Sequence, residues 1–242
     1  MRQSVLYYMK FVLEPGYRNT FNMMRQRYNI IELDTVDSTN DEAKRKLAGV
    51  GHLTVITAKY QTRGRGQRDN EWKSREGENL LFSVVLKYAE SSLQMPASSQ
   101  LALSGMVALS VVDMLESLNV QAKIKWPNDI YVGERKVCGV LIENSVCGKY
   151  LSTSIVGVGI NVNQTEFDED IPNPVSIAQC VGRPISTEKV LTLFMKAFED
   201  YLDRFASGEI DYEELCGLYA RRMLPWSAPE DFIEKILSLG KL

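Results

Sequence analysis

At 242 residues the chain can bury a full hydrophobic core, as one large domain or one domain with appendages. Its 45% hydrophobic and 24% charged residues fit a soluble globular protein, and a net charge of −3 argues against the basic surface that general nucleic-acid binding needs. Four scattered cysteines without a CxxC, and a single histidine, His52, argue against a structural zinc site and against Ser–His–Asp or Cys–His catalysis.

The first 27 residues hold five basic residues and one acidic residue, Glu14; with the tandem Met23–Met24 they read as a dispensable extension. "YNIIEL" (28–33) reads as a short strand. "DSTNDEAKRKLAG" (37–49) reads as a helix with Ser38 as N-cap, Asp41 three residues on and Gly49 as its stop. "LTVITA" (53–58) and "NLLFSVVLK" (79–87) are strand-like, separated by "TRGRGQRDNEWKSREGENL" (62–80), a long loop. Residues 98–119 are apolar on most sides, as in a buried helix. "AKIKW", "DIYV", "KVCGVLIEN" and "YLSTSIVGVGINV" follow as strands, with hairpin turns at Gly133–Glu134 and Gly148–Lys149. An amphipathic helix over 187–208 sets Val190, Leu191, Phe194, Phe198, Leu202 and Phe205 on one face, and a last helix covers 211–222. No run of about 18 apolar residues suggests a membrane span. Cys138, Cys147, Cys180 and Cys216 read as lone buried thiols in a reducing cytoplasm, and His52 as a surface turn residue. These elements make an α+β domain with a mainly antiparallel sheet.

Four stretches resist a purely structural reading. In the long loop Arg63, Arg65 and Arg68 alternate with Gly64 and Gly66, and no apolar residue precedes Trp72. The glycines let backbone approach a ligand, and the arginines can fork onto phosphate or carboxylate oxygens, although no Walker or GxGxxG pattern is present. A solvated linker is the alternative. In "KIKWPNDIYV" (123–132), Lys125 and Trp126 set a cation and an aromatic face beside Asn128 and Asp129, which suits a nucleotide as well as a plain turn. In "ERKVCGVLIE", Lys136 starts a strand whose Gly139 lets something lie against the sheet. In "VGVGINVN" (156–163) the glycines suggest close packing, and Asn161 and Asn163 share a side.

Together "DSTNDEA", "YQTRGRGQRDNEW", "KWPNDIYVGERKVCGVLIE" and "GVGINVN", in that order, resemble the biotin protein ligases, over about Tyr28 to Tyr219. The resemblance implies a mixed, mainly antiparallel sheet backed by helices, like the core of class II aminoacyl-tRNA synthetases. It implies conversion of biotin to biotinyl-5′-AMP with ATP and Mg2+, then transfer to a lysine of a biotin carboxyl carrier protein. By motif match, Ser38, Thr39, Asn40, Gln61 and Gly139 would line the biotin pocket, and Gly64, Arg65, Gly66 and Gln67 would close over the ligand. Lys136 would contact the carboxylate or the adenylate linkage. Arg68, Trp72, Lys125, Asn128 and Asn161 would hold the nucleotide, and Asp129 would face the incoming lysine. Arg65, Lys136 and Asp129 are then the catalytic set. A flexible loop that orders on binding would shield the mixed anhydride from water.

On this reading 28–224 is the catalytic domain and 225–242 a short tail where the family carries an SH3-like domain. Residues 1–27 are too few for a winged helix-turn-helix, so no specific DNA binding is expected, nor any membrane association; the setting is cytoplasmic, the state monomer or homodimer. Arg63 and Asp69 stand where the family has a small residue and a glycine. The rival readings are a lipoate or octanoyl ligase-type acyltransferase, an RNA-binding module, and a biotin-binding protein with impaired transfer.

Overall fold

The computed structural model describes residues 23–68 and 70–230. The expected extension up to residue 22, the departure at Asp69 and the tail beyond residue 230 lie outside the described residues. Residues 23–27 are helical, and Met24 is buried in the main core, so this end of the expected extension is packed rather than appended.

The strands are β1 (Ile30–Val36), β2 (Thr54–Gln61), β3 (Leu80–Lys87), β4 (Lys123–Lys125), β5 (Asp129–Val132), β6 (Arg135–Cys147) and β7 (Tyr150–Ile160). The helices are α1 (Thr39–Lys46), α2 (Gln100–Ser117), α3 (Ile177–Val181), α4 (Thr187–Ala206) and α5 (Tyr212–Arg222). One seven-stranded sheet runs in the order β1-β2-β3-β7-β6-β5-β4. Only β1 and β2 pair in parallel, because α1 carries the chain back between them; every other neighbour is antiparallel. The hairpin turns sit at Gly133 and Gly148 with φ of 59° and 62°, values that glycine adopts without strain.

Period two divides the sheet. Phe82, Val84, Leu86, Val140, Val156, Val158 and Ile160 face α2 and α4 in the main core. The alternate residues face α1, where Ala43, Val50, Ile56, Val85 and Ile155 make a second, smaller cluster. The helix over 97–117 is long and apolar enough to pass for a membrane span, but most of it is buried in the core against α4 and α5. Phe82 and Phe194 meet edge to face at 5.1 Å between ring centroids, and Phe194 stacks on Phe198 at 5.5 Å. Phe194→Ala should therefore destabilise the fold by about 3–5 kcal/mol in a denaturant titration, through lost burial and the cavity left behind.

Some expectations change. Ser38 is the N-cap of α1 by backbone position but makes no side-chain cap bond. Helix α3 is not among the expected elements, although Ser176 and Gln179 form a reciprocal capping box. Cys138 and Cys216 are buried but Cys147 and Cys180 are exposed, and none of the four is in a disulfide. His52 is half-buried, with Nδ1 accepting from the Lys87 backbone N–H.

Candidate functional site

Where α1 ends, its side of the sheet is left open and glycines replace the expected side chains. Gly139 pairs with Gly159, and Leu141 with Gly157, across β6 and β7. The result is a flat floor beneath a cavity of about 370 Å³, within the range of about 300–1,000 Å³ usual for small-molecule sites. A Cβ on Gly157 would lie 2.3 Å from Asn40 Oδ1, and one on Gly159 would lie 2.5 Å from the Trp72 ring. Asn40 and the Trp72 indole thus lie directly on the sheet. Among the described residues, Trp72 Nε1 is the one buried side-chain polar atom with no hydrogen-bond partner.

One end of the cavity is a closed polar network. The Thr39 N–H donates to Gln61 Oε1 at 2.7 Å. Ser83 Oγ lies 2.6 Å from Asn40 Oδ1 and 2.8 Å from Thr39 Oγ1. Asn40 Oδ1 can only accept, so the single Ser83 hydroxyl proton is assigned to it. Asn40 Nδ2 donates to Leu141 O (3.2 Å) and Glu143 Oε2 (2.9 Å).

The charged groups are matched in pairs. Arg65 Nη2 reaches Glu143 Oε2 at 2.7 Å and Asp41 Oδ1 at 2.9 Å. Lys136 Nζ lies 2.8 Å from Asp129 Oδ1 and 5.6 Å from the Trp72 ring centroid. Burial pushes the Glu143 carboxyl up, but Lys44, Asn40 and Arg65 outweigh it and hold it below the ordinary glutamate range.

The glycine–arginine stretch is a hairpin rather than an open loop. Trp72 N–H donates to Gly64 O (2.9 Å), Gly66 N–H to Asn70 O (2.6 Å) and Asn70 N–H to Gln67 O (3.1 Å), closing a small hairpin bridged at Arg65 and Glu71. Arg68 at its tip has φ of 53°, in the left-handed region. Opposite, the turn 126–128 between β4 and β5 is held by Asn128 Nδ2 donating to Val140 O at 2.7 Å. Trp126 N–H donates to Ser227 Oγ at 3.0 Å, so the segment after α5 packs on this turn.

Ser38, Thr39, Asn40, Gln61, Arg65, Gly66, Gln67, Arg68, Trp72, Asn128, Asp129, Lys136 and Gly139 all line this one cavity. Gly64, Lys125 and Asn161 do not. Gly64 faces the Trp72 carbonyl, where a Cβ would clash at 2.3 Å, so its lack of a side chain serves the hairpin. Lys125 turns away to Tyr131, with Nζ 3.1 Å from the hydroxyl and 4.7 Å from the ring centroid. Asn161 is only 5% exposed and donates to Val175 O (3.2 Å) and Lys136 O (3.4 Å), supporting the backbone that carries Lys136. Ser83, Glu143 and Ser227 join the site without being among the expected residues. Ser83 is the one polar residue inside "LLFSVVL", and Glu143 shares the Gly139 face by period two; nothing in the sequence marks Ser227.

The sequence profile of the Biotin/lipoate A/B protein ligase family matches residues 32–161, more than half of the chain. The chain belongs to this family. A biotin--[acetyl-CoA-carboxylase] ligase from Paracoccus denitrificans is 32% identical over 173 residues, 69% of this chain and 70% of that protein. The bifunctional ligase/repressor BirA of Bacillus subtilis is 32% identical over 156 residues, 62% of this chain and 47% of its own. Among solved structures, the biotin protein ligase from Aquifex aeolicus in complex with biotin and ATP superposes with a TM-score of 0.69 at 33% identity, covering 81% of this chain and 78% of that one. Four BirA proteins that the chain matches are spanned over 44% to 62% of their length. The mixed sheet backed by helices is thus the biotin protein ligase fold anticipated from the motifs.

Proposed function

We propose that the chain activates biotin with ATP as biotinyl-5′-AMP and then transfers the biotin to a lysine of a biotin carboxyl carrier protein. One observation carries this reading: a single glycine-floored cavity holds a neutral hydrogen-bonding network at one end and the cations Arg65 and Lys136 around it. The network of Thr39, Asn40, Gln61 and Ser83 suits a ureido ring, which both donates and accepts. The cations suit a carboxylate brought against a phosphate, two anions that repel until neutralised.

In the first step a biotin carboxylate oxygen attacks the α-phosphorus of ATP and the bond to pyrophosphate breaks. In the second, the carrier's lysine amine attacks the acyl carbon, AMP leaves, and the amine loses its proton. No protein nucleophile is required, which fits His52 and the four thiols lying outside the cavity. Lys136 and Arg65 supply fixed positive charge, and Asp129 holds Lys136 in place. Magnesium, carried on the ATP phosphates, would supply further charge neutralisation; the ion fits as a companion of the nucleotide, since among the described residues no group of three or more His, Cys, Asp or Glu could hold a metal alone.

Biotin-dependent ATP–pyrophosphate exchange on the purified chain tests the reading, with lipoate as the control acid. Exchange with biotin and not lipoate is expected. Exchange with lipoate alone would move the chain to the lipoate branch of its family, and exchange with neither would leave a binding protein without the first step.

Arg65→Ala should loosen the hairpin, because its guanidinium ties the hairpin to Asp41 of α1 and Glu143 of β6. The fraction of biotinyl-AMP released to solution should rise about tenfold, the effect of losing roughly 1.4 kcal/mol of closure. An unchanged released fraction, measured by chromatography against total adenylate, would remove that role from Arg65.

A further inference from the structure

Glu143 stands at the rim of the cavity floor, on the same face of β6 as Gly139 and Leu141. Its carboxylate joins separate walls of the site. Oε2 accepts from Asn40 Nδ2 (2.9 Å) and Arg65 Nη2 (2.7 Å), and Oε1 accepts from Lys44 Nζ (2.7 Å). Asn40 and Lys44 belong to α1, and Arg65 to the 64–72 hairpin. An exposed ion pair would be worth little. Here the side chain is only 26% exposed, Arg65 is shared with Asp41, and one oxygen serves both the amide lying on the floor and the guanidinium closing over it.

The consequence for Asn40 is geometric. A carboxamide presents an oxygen and an NH2 of nearly equal size, so its orientation is set by its partners. Glu143 and Leu141 O take the NH2, which turns Oδ1 onto Ser83. The same carboxylate fixes Arg65. Recognition of the acid substrate and closure of the hairpin therefore meet at one residue.

We propose that Glu143 is a positioning residue, latching the 64–72 hairpin to α1 through Arg65 and orienting the Asn40 amide for the substrate. Its link to substrate rests on the biotin-activating reading; the latch itself does not. Glu143 touches neither reacting atom and acts on the substrate only through Asn40 and Arg65.

The test is a double-mutant cycle. E143Q keeps an oxygen for Asn40 but removes the charge that holds Arg65, and should raise the released fraction of biotinyl-AMP about tenfold; on an R65A background it should add less than about twofold. An equal rise on both backgrounds, or none in either, would overturn the proposal. E143A also takes the acceptor from Asn40 and should raise KM for biotin about tenfold over E143Q with kcat for exchange within about threefold, a split that a general loss of stability would not give.

A second readout needs no adenylate. Trypsin cleavage after Arg63 and Arg68 should run about tenfold faster in E143Q at an unchanged Tm, because the hairpin opens more often. If wild type forms no biotinyl-AMP, the proposed function falls while this measurement still decides the latch. Equal cleavage rates in wild type and E143Q would overturn it.

Discussion

Replacing Lys136 with alanine should lower the rate of biotin-dependent pyrophosphate exchange by about two to three orders of magnitude, the effect of removing one preorganised charge from a site where negative charge develops. The backbone of Lys136 is fixed from several sides. Its N–H donates to Asn173 O (2.7 Å), and its carbonyl accepts from Val175 N–H (2.9 Å) and Asn161 Nδ2 (3.4 Å). Its ammonium is steered by Asp129 at 2.8 Å and by the face of Trp72. A charge held this way needs little reorganisation when the carboxylate and the α-phosphate approach, which is why its removal should appear in kcat more than in KM. Stability should change far less than the rate, because only one ion pair is lost and Asp129, 21% exposed, keeps access to water. The pairing of a large rate loss with a small shift in Tm is the diagnostic result. An exchange rate within a few-fold of wild type would take Lys136 out of the chemistry.

The parts of this site that could be read from sequence are those whose residue types are odd for their place. Arginines alternating with glycines between two strands, an Asn–Asp after Trp–Pro and a lysine opening a β-branched strand each stand out locally, and the structure brings representatives of all three to one cavity. The hairpin glycines Gly133 and Gly148 were legible for the same reason, since a tight turn with positive φ leaves a local mark.

Long-range pairing leaves no such mark. Ser83 is one polar residue in an apolar strand until the fold sets it beneath Thr39 and Asn40, and Glu143 is an ordinary strand glutamate until α1 and the hairpin converge on it. The hairpin 64–72 reads as part of a long loop because its order comes from backbone bonds among glycines and polar residues, which have no hydrophobic period. Asn161 and Lys125 stand apart from the cavity. Their residue types suit a nucleotide, but one is spent holding the backbone under Lys136 and the other on Tyr131. The parallel β1–β2 pair needed knowledge of where α1 lies, which no strand pattern carries.

Gly157→Ala should abolish most of the affinity for biotin while leaving every charged group of the site in place. The added Cβ would lie 2.3 Å from Asn40 Oδ1, 2.9 Å from Cγ and 3.0 Å from Nδ2, so the whole carboxamide must move. Asn40 is a short side chain with nowhere to go: Ser83 holds its oxygen, Leu141 O and Glu143 its nitrogen, and Ala43 of the same helix is packed in the smaller core. Displacement would cost the fully buried Ser83 hydroxyl its bond to Asn40 and leave it Thr39 Oγ1 at 2.8 Å. Overpacking of this kind costs about 1–3 kcal/mol and the lost Asn40 hydrogen bond about 1 kcal/mol more. These costs fall on the fold; the affinity falls because the displaced Asn40 amide no longer meets the ligand and the methyl raises the floor, an effect of roughly a hundredfold in Kd, or about 2.7 kcal/mol, readable by titration calorimetry with biotin. Tm should fall as well, which by itself would not separate recognition from packing. The double variant N40A/G157A separates them, since alanine at position 40 gives the new methyl its space. Its Tm should recover relative to Gly157→Ala, and its affinity for biotin should not, because the amide that recognises the ligand is gone. Recovery of both would mean that Asn40 shapes the cavity without reading its contents, and wild-type affinity in Gly157→Ala alone would mean that the ligand does not lie on this floor.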